Sequence, residues 1–204
     1  MAKVKLTKNE LKRQKDDLAR FTRYLPTLEL KKKQLLLEIN KIQNHIERVV
    51  SEIESNDKKV AAWVDVFAEE VDLEPLIGIE DIKISNGNIA GIEIPIFEEV
   101  IFSPVEVDLL HTPLWVDNAV EVLKEQINRR AFLLIAEKQQ QIIRNELRIT
   151  IQRIKLFEEV KIPEARESIR VIQIFLADQQ TAEVVRGKIA KSKIEKKKME
   201  AALS

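Results

Sequence analysis

Apolar residues between Leu11 and Val60 recur on two interleaved seven-residue grids. One grid holds Leu11, Leu18, Leu25, Ile39, Ile46, Ile53 and Val60; the other, offset by three, holds Phe21, Leu28, Leu35, Ile42 and Val49. Gln14, Lys32 and Asn56 are the polar entries. A stripe this narrow is too thin to cover a globular core and predicts the a/d seam of a coiled coil about fifty residues long. Just ahead of it, Thr7 and Glu10 have the spacing of a capping box, in which each satisfies a free backbone N–H of the first turn. Helix is predicted from about Lys8 towards Ala68. Pro26 removes one hydrogen bond inside it, which predicts a kink or short break near Tyr24–Pro26. The grid keeps its phase across Pro26, favouring a kink over a reversal.

From Val71 to Pro113 the pattern changes, and this segment takes three of the four glycines and four of the six prolines. Ile82-Lys83-Ile84 alternates, Ser85-Asn86-Gly87-Asn88 offers a turn able to adopt positive φ, and Ile89 to Ile94 resumes an apolar strand. A β-hairpin over about 82–94 follows, with Asn86-Gly87 as its strongest signal. Gly91 falls in the second strand, and Pro95 ends that strand or marks it as an edge. Val100 to Phe102 could add an extended piece. Thr112-Pro113 then supplies a cap and a first-turn proline for a second long helix, interrupted only at Pro163 and Gly187. Its apolar spacing is looser, and Ile143, Ile154, Ala165 and Leu176 stand eleven apart.

The predicted fold class is mainly α, a long antiparallel two-helix coiled coil with a short β-hairpin-containing foot between the arms. Residues 1–70 form the first arm, 71–113 the foot and 114–204 the second arm with a basic tail. At 1.5 Å per residue the arms measure about 80 Å and about 125 Å. The second therefore overhangs the first by about thirty residues, roughly Leu176 to Ser204, as a single helix that must be frayed or held by a partner.

Composition narrows the function classes. Charged residues make up 33% of the chain and the formal net charge is zero, so no global field argues for nucleic acid or a membrane surface. There are no cysteines, which excludes disulfides, thiolate metal sites and cysteine nucleophiles, and two histidines make a multi-histidine metal site improbable. The N-terminus lacks a signal-peptide stretch, and no run approaches the ~20 apolar residues of a membrane span. The expectation is a soluble cytoplasmic protein, able to dock on a membrane complex.

Candidate chemistry is sparse. Arg186, Lys188, Lys191, Lys193, Lys196, Lys197 and Lys198 form a basic tail opposed by Glu195. It reads either as an electrostatic contact or as a solvated helix end whose cations suit the macrodipole. No aromatic is interleaved with these charges, which argues against single-stranded nucleic acid. Glu69-Glu70, Glu98-Glu99 and Glu158-Glu159 are neighbours in sequence, and neighbours on a helix diverge by about 100°, unlike convergent catalytic carboxylates. His45 flanks the seam, and His111 precedes the second cap without a ligand set. Gly87 and Gly91 belong to no phosphate-cradling motif. Trp63 and Trp115 fall near the inner ends of the arms, where an antiparallel hairpin would bring them together. No catalytic, cofactor or metal residue is assigned.

Several segments together resemble the D subunit of the V-type and A-type rotary ATPases, the central-stalk rotor shaft. Leu6-Thr7-Lys8-Asn9-Glu10-Leu11 is similar to the family's Pro-Thr-Lys-x-x-Leu opening, with Leu6 in place of proline. Leu28 to Leu35 is similar to its Leu-Leu-Lys-x-Lys-Arg-x-x-Leu stretch, with Pro26 a departure just before it. Asn88 to Pro95 resembles the Ala-Gly-Val-x-x-Pro hairpin strand. Gln152 to Glu158 with Ile162-Pro163 resembles Arg-Arg-Val-Asn-Ala-Leu-Glu…Ile-Pro, matching at Arg153, Glu158, Ile162 and Pro163 and departing at Gln152 and Lys155. Downstream, Asp178, Glu183, Arg186 and Lys188 match part of an acidic-then-basic region. The drift resembles the bacterial branch with a V/A-type enzyme.

The resemblance implies a non-catalytic shaft without cofactors. Its coiled-coil end would sit in the ring of A and B subunits, with the small F subunit clamping its side and the foot seated in a C/d-type socket protein above the proteolipid ring. That arrangement implies a cytoplasmic protein peripheral to the membrane, with no nucleic-acid partner. The rival class is a prefoldin-like holdase, which also places a β-hairpin between coiled-coil arms. Its hairpins must assemble into a barrel and its arm tips are apolar, whereas here the strand signal is one short hairpin and the overhang is basic. For a cytoskeletal or DNA-organising coiled coil, the internal hairpin has no evident use.

Overall fold

The computed structural model describes residues 4–61, 76–103, 113 and 115–202. In chain order they form helix α1 (Lys8–Ala61), strands β1 (Ile79–Ile89) and β2 (Ile92–Phe102), helix α2 (Trp115–Lys155), a π-helical turn (Leu156–Lys161) and helix α3 (Ile162–Ala202). The class is mainly α, with one antiparallel hairpin between two long helical stretches. The predicted helix beyond Ala61, Trp63, Glu69-Glu70, His111 and the Thr112 cap lie outside the described residues. By contacts the chain divides into two compact units, Leu30–Thr150 and Met1–Glu29 with Ile151–Ser204.

α1 starts at its cap, where Thr7 Oγ1 accepts the Glu10 N–H at 3.3 Å. The Glu10 carboxylate turns to Gln14 Nε2 at 2.9 Å. Of the kink or short break expected near Tyr24–Pro26, the break is absent, because α1 continues through Pro26. Pro26 and Thr22 are both exposed, so the Thr22 carbonyl deprived of its donor faces water, and one lost bond is a small fraction of a long seam-packed helix.

In the unit Leu30–Thr150, α1 and α2 pack antiparallel. Lys31 Nζ meets Glu146 Oε1 at 2.7 Å, Gln140 Nε2 donates to Gln43 Oε1 at 2.7 Å, and Arg129 Nε lies 3.8 Å from Glu52. His45 stacks on Phe132 with ring centroids 4.5 Å apart. Leu35 and Ile143 are fully buried and form a core with Ile94 of the hairpin, joined by Ile39, Ile42, Ile89, Ala90, Ile92, Ile142 and Leu147. The hairpin tip therefore packs into the helix pair.

The hairpin differs from its prediction in extent and turn. β1 and β2 reach from Ile79 to Phe102, and Asn86-Gly87 sits inside the ladder opposite Pro95 and Ile94. The two-residue turn is Ala90-Gly91, at φ 52° and 80°, with Ile89 opposite Ile92. Positive φ at both central residues is the requirement of a type I′ turn, and the Gly91 N–H donates to Asn88 Oδ1 at 3.0 Å. A turn at Asn86-Gly87 would have pulled Ile89, Ile92 and Ile94 off the core, so burial overrides the stronger local signal. Gly87 serves the strand instead: a Cβ there would collide with the Ile96 side chain. Pro95 does not end β2, since a two-stranded sheet is all edge.

β2 runs back along α2. Lys124 lies over the Phe102 ring, Asn128 Oδ1 accepts the Val100 N–H at 3.0 Å, Phe97 meets Phe132 edge-on, and Gln139 donates to the Pro95 carbonyl. From Phe102 to Ile94 an extended chain covers about 26 Å, and from Lys124 to Ile143 a helix covers about 28 Å, so the two rulers agree.

In the unit of Met1–Glu29 with Ile151–Ser204, Phe21 packs on Phe157 with ring centroids 5.2 Å apart. Ala165 and Ile172 are buried. The interruption expected at Pro163 is a π turn rather than a break, with the Ile162 N–H reaching the Phe157 carbonyl. In a regular α-helix Pro163 would leave the Glu159 carbonyl without a donor and press its ring against it; a wider turn ahead of the proline makes room. Gly187 lies within α3 and causes no break either.

Candidate functional site

The twelve seam positions assigned from sequence are all buried or half-buried: Leu11, Leu18, Phe21, Leu25, Leu28, Leu35, Ile39, Ile42, Ile46, Val49, Ile53 and Val60. The polar entries Gln14, Lys32 and Asn56 are half-buried on the same face. This surface is consumed in holding the fold. A function by contact must therefore use what remains outside.

The most continuous such surface is the end of α3. Every residue from Ala177 to Met199 is exposed, including Val184, Val185, Ile189, Ile194 and Met199. Arg186, Lys188 and the five lysines that follow stand on this stretch, so it offers cations and apolar side chains together. Arg153, Glu158 and Pro163 are exposed around the π turn, with Ile162 half-buried between them, and Thr7 is exposed at the start of α1.

Further exposed apolar residues stand outside the positions assigned from sequence. Leu134 is 67% exposed on α2, and Tyr24, Leu30 and Leu37 face out from α1. Ile79, Ile82, Ile84 and Ile96 are exposed along the hairpin. Ile82 and Ile84 belong to the predicted strand, and the others are large apolar residues that fall off the seam grids or outside the predicted strands.

Among the described residues no group of three or more histidines, cysteines or carboxylates could hold a metal ion. The described adjacent carboxylates, Glu98-Glu99 and Glu158-Glu159, are exposed. Displaced titrations trace to surface ion pairs. A hydrogen bond to Glu99 at 2.5 Å raises the Lys83 pKa above its ordinary 10.5, and the Arg170 guanidinium lowers that of Glu167 below 4.5. Neither arises from a desolvated cleft of the kind that tunes a catalytic acid or base.

Comparison with known proteins gives this surface a context. The family described as the ATP synthase D subunit matches residues 10–192. A V-type ATP synthase D subunit of Borreliella burgdorferi is 47% identical over 197 residues, 97% of this chain and 98% of that protein. Proteins of the same description from Chlamydia pneumoniae and Chlamydia abortus are 33% identical over 198 residues and 31% identical over 202 residues. These alignments cover 96% and 98% of this chain, and 95% and 97% of the two relatives. A match of this length, carried by a helix, a hairpin and a second long helix in that order, shows that the chain belongs to the ATP synthase D-subunit family.

Proposed function

We propose that this protein is the non-catalytic central-stalk rotor shaft of a V/A-type rotary ATPase, coupling ATP hydrolysis or synthesis in a ring of A and B subunits to proton or sodium transport. The observation that carries the reading is the exposed end of α3, an apolar and cationic helix surface that is uncovered within this chain and therefore fits a surrounding partner. Its basic residues and Arg153 engage the ring, the F subunit binds the side of the helix pair, and the segment 71–113 docks with a C/d-type socket above the membrane ring. No helix among the described residues is long and apolar enough to cross a membrane, which suits a cytoplasmic, peripheral position.

Mechanically, an asymmetric shaft presents each catalytic interface with a different face. Only a difference in contact free energy between open and closed interfaces can shift their populations, so coupling resides in that asymmetry. The seam opposes sliding between the helices and keeps torque from dissipating as shear. The holdase alternative loses its footing, because family membership accounts for the hairpin without a barrel of assembled partners.

The test is reconstitution of the full chain with A, B and F subunits. A stable complex that sustains ATP hydrolysis is the expected result, and a chain that elutes free of the A/B ring would overturn the reading.

A further inference from the structure

The π turn solves a problem of phase. From Ile151 onward, the buried and half-buried apolar residues are Ile151, Ile154, Phe157, Ile162, Ala165, Ile169, Ile172 and Leu176. Their intervals are three or four residues throughout, except for the five between Phe157 and Ile162, and those five span the π turn. A regular helix leaving Phe157 would continue the frame at Lys161, Glu164 and Ser168, bringing a cation, an anion and a hydroxyl onto the face occupied by Phe21. Lys161 and Glu164 pair with each other at 3.6 Å in solvent, and desolvating that pair would oppose such packing.

One position earlier than the buried frame runs a second one. Val171, Phe175, Ala182, Val185, Ile189 and Met199 fall on it, and all are exposed. Asp178, Ser192 and Lys196 are its polar members. α3 thus carries two apolar stripes separated by one residue, about 100° of helical rotation. Beyond Leu176 the buried frame turns polar, with Gln179, Glu183, Arg186 and Lys193 around Ala190, while the second still carries Ala182, Val185, Ile189 and Met199.

We propose that the π turn is a register selector: it inserts one residue between Phe157 and Ile162 and so turns α3 to bury the first stripe while the second remains outward. Pro163 explains its location, since the proline disfavours an α-helical turn just where the insertion is needed. The inference stands on packing alone and is independent of the proposed rotary role.

The chain has no cysteine, so single introduced thiols report register directly. In the full-length parent, Ile172→Cys is expected to react with a maleimide at least about tenfold more slowly than Val171→Cys, the measure of a protected against an open site. Deleting Glu159 together with Pro163→Ala removes the inserted residue and the proline at once. This variant is expected to keep the parent pattern of labelling, in parent numbering, with an undiminished thermal midpoint. Deleting Arg166, an exposed residue in the regular part of α3, is expected to invert the labelling or lower the midpoint. Inverted labelling or failure to fold in the first deletion would overturn the proposal, and so would an unchanged pattern and midpoint in the second.

Discussion

Thr150 buries its hydroxyl within α2, where it is 1% exposed and Oγ1 has no hydrogen-bond partner. A desolvated hydroxyl without a partner costs free energy that an isosteric methyl does not. Thr150→Val is therefore expected to stabilise the protein by about 1 kcal/mol, measured by denaturant unfolding of the two chains side by side. The Glu167–Arg170 pair gives a pH signature. Arg170 donates to both carboxylate oxygens, at 2.7 and 2.9 Å, and holds the Glu167 pKa below 4.5. A lowered folded-state pKa means that the pair's contribution is present above the unfolded value and disappears as pH falls through the folded one. Arg170→Gln is expected to return Glu167 towards its ordinary titration, followed by carboxyl-carbon NMR between neutral and acid pH.

Elements are held by a few positions of very unequal weight. Leu35 is wholly buried where α1, α2 and the hairpin tip meet, whereas Leu37, two residues on, is 61% exposed. Leu35→Ala is expected to cost about 3 kcal/mol in thermal or denaturant unfolding, and Leu37→Ala less than about 0.5 kcal/mol. The seam of α1 was legible in the sequence because one narrow stripe repeated through it and nothing else competed. The turn was misplaced because Asn86-Gly87 is the stronger local signal, while Ala90-Gly91 is favoured only by the burial of residues far away in the chain. The seam of the second helical stretch was hidden for a different reason. Its heptads are regular on either side. The five-residue step at the π turn makes the interval from Ile154 to Ala165 eleven, equal to those from Ile143 to Ile154 and from Ala165 to Leu176, and the series reads as a straight helix. Function left a fainter trace still. The motif residues around Pro163 suggested the family, while the spacing of the exposed apolar residues of α3 does not by itself mark them as a contact surface.

For the molecule as a whole, the proposed role depends on a stiff seam and on outward contact. Glycine at Ile39 and Ile42, which pack at the hairpin tip, and at Ile46 on the same seam would strip apolar contacts from α1 and soften the helix there. Under the proposed role, a reconstituted complex carrying this variant is expected to keep hydrolysing ATP while ion transport falls several-fold further than hydrolysis. Parallel assays of phosphate release and ion uptake would measure the difference, and full coupling would count against a torque-bearing seam. The alignment of β2 with α2 carries an evolutionary consequence of its own. Extended chain advances about 3.3 Å per residue and helix about 1.5 Å, so the pair works as a vernier. A lineage that lengthens the hairpin by one residue must find about two in the helix to keep every graduation matched. Insertions and deletions in these two segments should then travel together through descent, in that unequal ratio.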